Sequence, residues 1–207
     1  MKVLLVNGSP KEKGCTFTAL SFVAEELEAA GVNTQIYHLG KEAIEGCRAC
    51  GYCFKNDSCV IGDSVNTFVE LAKEADGLVV GSPVHFASAT GALTAFLDRV
   101  FYSSKGSPFH YKPGAAIVSA RRAGTTATLD QLQKYLLYSR MPLVPSQYWP
   151  MIHGTTPDEV VQDLEGVQIM RTLGRNMAWL LRAIEAGRAA GIEPPPEERR
   201  IRTNFIR

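Results

Sequence analysis

The 207-residue chain has no long hydrophobic run and almost no charge imbalance. No apolar stretch approaches the roughly 20 residues that a membrane-spanning helix needs. Lys and Arg number 22 against 21 Asp and Glu, a net charge of +1. That balance carries no electrostatic footprint for nucleic acid or an anionic membrane. The basic ending "RRIRTNFIR" is short and reads as a solvated terminus. The N-terminus places one lysine and about four apolar residues before Asn7, short of the roughly 7–15 of a secretory signal. The expectation is a cytoplasmic protein whose five cysteines stay reduced. Internal repeats and flexible linkers are also missing, so one domain over residues 1–207 is expected. No Ser-His-Asp or paired-carboxylate constellation offers a hydrolytic route.

What is present is an alternation of strand and helix. Residues 3–6, "VLLV", read as a fully buried strand. Leu20, Val23, Ala24 and Leu27 then repeat at helical spacing over 16–30, and Gly31 is a natural stop. Strands are expected at 34–39, 77–81, 115–119 and 143–146, the last of them weak. Helices are expected at 64–75, 90–101 and 126–138. A long final helix is expected to start at the capping box Thr156, Pro157, Glu159 and to run to about residue 190. This alternation points to a parallel sheet covered by helices on both faces. Ligands bind such folds at the carboxyl ends of the strands. The loops to inspect are therefore 8–16, 82–90, 120–126 and 146–155.

The first of these loops, "GSPKEKGCT", links the first strand to the first helix. It is not a P-loop, because Cys15 stands where the phosphate-neutralising lysine belongs. It is not a dinucleotide loop either, since G-x-G-x-x-G is absent. What remains is a set of hydroxyls and free backbone N–H groups at a helix N-terminus. Ser9, Thr16 and Thr18 can serve one monophosphate there. The alternative is a tight turn whose Ser and Thr only cap the helix.

Three stretches in order, "VNGSPKEKGCT", "GSPVHFASATGALTAFLDRV" and "SARRAGTTATL", resemble the three FMN loops of the flavodoxin-like NADPH-dependent FMN reductase family. The resemblance covers residues 1–130. It implies a five-stranded doubly wound parallel sheet of order 2-1-3-4-5, and FMN as cofactor. The phosphate would be held by Ser9, Lys11, Cys15, Thr16 and Phe17. Pro83, Val84, His85 and Phe86 would line the flavin ring, and Ala120, Arg121, Arg122 and Gly124 would cover another edge. Cys15 replaces an asparagine common in the family, and His85 a frequent tyrosine. Arg121 and Arg122 also read as a surface pair making salt bridges, and His85 as an ordinary loop histidine. By this resemblance the flavin N5 carries the chemistry and no side chain is a catalytic residue.

Cys47, Cys50, Cys53 and Cys59 form C-x2-C-x2-C-x5-C in a loop at about 46–62. Four soft thiolates so close can wrap a metal centre, and the compact first three suit a 4Fe-4S cluster. A structural zinc more often shows two separated pairs. The same spacing resembles the iron–sulfur flavoproteins, relatives of the FMN reductases. A disulfide, redox-active thiols, zinc and inert packing thiols stay open.

The leading expectation is an FMN-dependent oxidoreductase that takes hydride from NAD(P)H and passes electrons to a quinone, a flavin or another acceptor. The second is an electron carrier using FMN and a 4Fe-4S cluster, served by a ferredoxin-like donor. The third is a regulatory nucleotide-binding module. The family implies a homodimer or homotetramer, and Tyr148, Trp149 and Trp179 are candidates for its interface.

Overall fold

The computed structural model describes residues 1–198 and 201–205. Arg199, Arg200, Ile206 and Arg207 of the basic ending lie outside the described residues, and 201–205 are exposed. In chain order the elements are β1 (Lys2–Asn7), α1 (Cys15–Ala29), β2 (Asn33–His38), a four-residue α2 (Cys53–Asn56), α3 (Ser64–Lys73) and β3 (Gly77–Pro83). There follow α4 (Gly91–Ser103), β4 (Gly114–Ala120), α5 (Thr125–Tyr138), β5 (Met151–His153), α6 (Pro157–Val160) and α7 (Leu164–Ala189). All strand pairs are parallel and the sheet order is β2-β1-β3-β4-β5, the flavodoxin-like order.

The apolar strands divide their side chains between two cores by the period of two. Val3 and Leu5 of β1, Val79 of β3 and Ile117 of β4 face α1 and α7. Leu4, Val6, Val80 and Val118 face α3, α4 and α5 around Phe68 and Phe96. Burial on both faces is why these strands read as unbroken hydrophobic runs.

Two expectations are corrected. The fifth strand is Met151–His153, not 143–146. At 143–146 the chain makes only an isolated bridge between Leu143 and Gly114. Pro142 and Pro145 flank that bridge and have no N–H to donate, so no ladder propagates. Further on, Val118 N donates to Pro150 O and Gly154 N to Ala120 O, closing both ends of β5 against β4.

The capping box forms, but it opens the single turn of α6 rather than the long helix. Thr156 Oγ1 accepts from Glu159 N, and Glu159 Oε2 accepts from Thr155 N. Asp163 then separates α6 from α7 and caps α7. Its Oδ1 accepts from Gly166 N at 2.9 Å while Oδ2 accepts from His153 N at 2.8 Å. One carboxylate thus ties the start of α7 to β5.

Helices α1 and α7 pack very closely at Gly174. A Cβ there would stand 2.7 Å from the Val23 carbonyl oxygen, and backbone cannot yield as a side chain does. Gly174→Ala is expected to destabilise the protein by about 1–3 kcal/mol, as overpacking does. Urea unfolding checks this, and an unchanged midpoint would show that the helices are not held at this distance.

Candidate functional site

The order 2-1-3-4-5 makes the crossovers leave β1 toward one side and β3 toward the other, opening a crevice at their carboxyl ends. The first loop begins there. Gly8 N donates to Gly81 O at 2.9 Å, extending the β1–β3 ladder by one residue. A Cβ on Gly8 would lie 2.6 Å from the Leu93 side chain, so only glycine lets the loop press on α4. Thr90, the cap of α4, donates through Oγ1 to Gly8 O at 2.8 Å. The fully buried Asn7 shapes the rest: its Oδ1 accepts from Ser9 N and its Nδ2 donates to Glu12 O. Ser9 Oγ accepts from Lys11 N at 3.1 Å. The loop is held entirely by the protein's own bonds. Asn7 and Thr90 lie inside the first two quoted stretches but are not among the expected site residues, because their partners are backbone atoms.

Among the described residues, five helices have ten or more residues. Asp63, Thr90 and Asp163 cap α3, α4 and α7 through their side chains. Helices α1 and α5, which follow the first and third loops, start at Gly14 and Gly124 with no side-chain cap and no acidic residue in the first turn. Their N–H groups and positive dipole ends are therefore left for something else. An anion with several oxygens matches the chemistry of the α1 end.

The side chains expected on the phosphate are not all aimed there. Thr16 is 1% exposed and its Oγ1 lies 2.8 Å from Ser119 Oγ, so its backbone N–H is the group left for an anion. Thr18 Oγ1 donates back to Gly14 O. Cys15 Sγ donates to Gly154 O at 3.7 Å, and burial raises its thiol pKa, keeping it protonated. Ser9 is at the loop with its hydroxyl, Lys11 is exposed, and Phe17 is half-buried.

The four cysteines of the longer motif come together. Cys47, Cys50, Cys53 and Cys59 all line one small hollow beside Arg99 and Tyr102. All four are free thiols, with Cys47 and Cys50 exposed and Cys53 buried. Among the described residues no three His, Cys, Asp or Glu converge closely enough to hold a single metal ion. A four-iron cluster instead gives each thiolate its own iron and accepts a wider spread of sulfurs. The donor set, four soft sulfurs around one hollow, fits that group.

Pro83 ends β3 and the chain turns outward. His85 and Ser88 exchange both backbone hydrogen bonds, at 2.9 and 3.0 Å. Between them Phe86 and Ala87 have φ of 52° and 57°. A two-residue turn with both central φ positive is normally made by Asn and Gly. A bulky residue there stores strain. Gln131 of α5 holds the turn by accepting from Ser88 Oγ and Ala89 N. His85 is exposed and the Phe86 ring is fully so. The third loop packs behind, with Gly124 against Val84 and Ala87. Ala120 is buried at the end of β4, and Arg121 and Arg122 are exposed. Ala87→Gly is expected to relieve the turn and raise stability by about 1 kcal/mol. A thermal melt that falls instead would show that the turn is not strained.

A model of the NADPH-dependent FMN reductase family matches residues 1–156. An iron–sulfur flavoprotein of Methanocaldococcus jannaschii is 29% identical over 197 residues, covering 89% of this chain and all of the relative. An FMN reductase (NADPH) of Escherichia coli is 27% identical over 161 residues, covering 77% of this chain and 74% of the relative. Among solved structures, a flavodoxin from the domain Archaea superposes with a TM-score of 0.61 at 17% identity, over 88% of this chain and 99% of that one, a likeness of fold. No helix among the described residues is long and apolar enough to cross a membrane. The chain belongs to the NADPH-dependent FMN reductase family and is a flavodoxin-like FMN-dependent oxidoreductase.

Proposed function

We propose that this chain binds FMN across the loops 8–16, 83–90 and 120–124 and uses it to pass reducing equivalents from NAD(P)H to a quinone, a flavin or another small acceptor. The observation that carries the reading is the uncapped N-terminus of α1 behind a preformed loop at the β1–β3 crevice. FMN held there would supply the redox chemistry, hydride acceptance and electron release. The protein's part is binding, orientation and charge.

Ser9 and the first-turn N–H groups of Cys15, Thr16 and Phe17 hold the phosphate, and Lys11 adds positive charge nearby. Pro83, Val84 and His85 give the ring a wall whose backbone is set by the Ser88 turn. Phe86, with its ring already out of the protein, covers the ring or the incoming nicotinamide and excludes water. Arg121 and Arg122 have no ion-pair partner among the described residues, so the surface salt-bridge reading loses its support. Their charge favours an anionic reduced flavin or the phosphates of NAD(P)H. Ala120 and Gly124 bring the third loop close to the second.

A second reading adds a 4Fe-4S cluster on Cys47, Cys50, Cys53 and Cys59, and makes the chain an electron carrier with a ferredoxin-like donor. It is favoured by the gathering of the four sulfurs around one hollow and by the likeness to the iron–sulfur flavoprotein of M. jannaschii. Exposed Tyr148, Trp149 and Trp179 favour assembly into a homodimer or homotetramer.

Protein purified without oxygen is expected to show a two-band flavin spectrum with about one FMN per chain, and iron with sulfide if the second reading holds. A chain that takes up no FMN on reconstitution would remove the first reading. Ser9→Ala removes one hydrogen bond to a charged group, about 1.5–3 kcal/mol. Titration should therefore show FMN affinity falling by about ten- to a hundredfold. An unchanged affinity would place the phosphate elsewhere.

A further inference from the structure

Arg99 is the charged residue that the flavin chemistry does not use. It sits on α4 inside the apolar stripe of Phe96, Leu97 and Val100, and is 1% exposed. A charge is buried so completely only when it is fully paired. All three guanidinium nitrogens are engaged, and every partner belongs to the cysteine loop. Nη1 and Nη2 make a fork on Asp63 at 2.6 and 2.8 Å. Nη1 also donates to Glu45 O, and Nη2 to Ile61 O, each at 3.2 Å. Nε and Nη2 both donate to Cys59 Sγ at 3.3 Å.

The partners divide into two jobs. Glu45, Ile61 and Asp63 bracket the four cysteines in the chain, so these bonds close the loop onto α4. Asp63 also accepts from Val65 N and caps α3, which makes the closure part of the fold. The remaining edge of the fork is aimed at a sulfur. Closing a loop does not need that contact, and a neutral thiol accepts weakly. A metal-bound thiolate is a much better partner, because the bond is then charge-assisted.

We propose that Arg99 is the positioning residue of an iron–sulfur centre on this loop: it holds Cys59 in place as a ligand and raises the centre's reduction potential through two N–H···S hydrogen bonds. The proposal rests on the iron–sulfur reading of the four cysteines. Donation to a ligating sulfur draws electron density from it and favours the cluster carrying one more electron. The couple is a one-electron step, with the electron supplied by dithionite in the test and by a low-potential donor in use. Lysine cannot substitute, since an ammonium has no planar fork to reach Asp63 and Cys59 together.

The test uses the full chain, purified and reconstituted without oxygen, as wild type, Arg99→Lys and Arg99→Gln. Iron and sulfide per chain, and the midpoint potential followed by electron paramagnetic resonance during dithionite titration, are the readouts. Bound FMN is the check on folding, because Arg99 is not at the flavin loops. The variants are expected to keep FMN and either to lose iron or to show a more negative midpoint. Wild-type protein carrying 15N-guanidinium arginine gives an independent measure that survives a misfolded variant. Its reduced cluster should show a nitrogen coupling and exchangeable protons by electron–nuclear double resonance. Full iron with an unshifted midpoint in Arg99→Lys, or a loaded wild type without the arginine coupling, overturns the role of Arg99 alone. A wild type that takes up FMN but no iron overturns the cluster reading, and the proposal with it.

Discussion

The pairing of β1 with β3 is the contact on which the rest of the molecule depends. Both strands are central and buried on both faces, so their backbone groups must be satisfied by neighbouring strands, β1 between β2 and β3 and β3 between β1 and β4. The ladder runs one residue past the strand, through Gly8 N and Gly81 O, and holds the first loop against α4. Because the crossovers leave this pair in opposite directions, loops from both halves meet at the crevice at its end. Every loop proposed for the flavin lies there. The cysteine loop begins at the same edge, behind β2.

The distribution of helix caps follows the same division. Where a helix start serves the fold, a carboxylate or hydroxyl satisfies it: Asp63 on α3, Thr90 on α4, Asp163 on α7. Each of these caps has a second partner, so each also fixes a loop: Arg99, Gly8 O and His153 N respectively. The starts of α1 and α5 have glycine instead, leaving N–H groups and positive potential at the crevice. Glycine in place of a side-chain cap costs only about a few tenths of a kcal/mol, so leaving these helix starts open is cheap for the fold.

A strained turn and a buried charge stand apart from the two hydrophobic cores. Phe86 and Ala87 are forced to positive φ by a two-residue turn that Gln131 clamps from α5. Arg99 is almost fully buried on α4 yet directs every nitrogen into the cysteine loop and its flanks. The strained turn stands beside the proposed flavin ring, and the buried arginine beside the proposed cluster. Cys15, in contrast, is explained by packing: its thiol donates to Gly154 O and stays protonated.

The amino-acid order was enough for the parallel α/β architecture, the first four strands, and the three loops that gather at one edge. Those features depend on local periodicity, on glycine and proline, and on loops anchored directly to strand ends. Contacts between distant segments decided the rest. The fifth strand went to Met151–His153 because β4 needs neighbours with N–H groups, which the prolines around 143–146 withhold. The capping box opened a single turn because Asp163 binds both β5 and α7. Thr16 turned its hydroxyl to Ser119, 103 residues away, and Arg99 reached Cys59 across 40. Such choices are made by partners distant in the chain, and no local pattern encodes the distance between them.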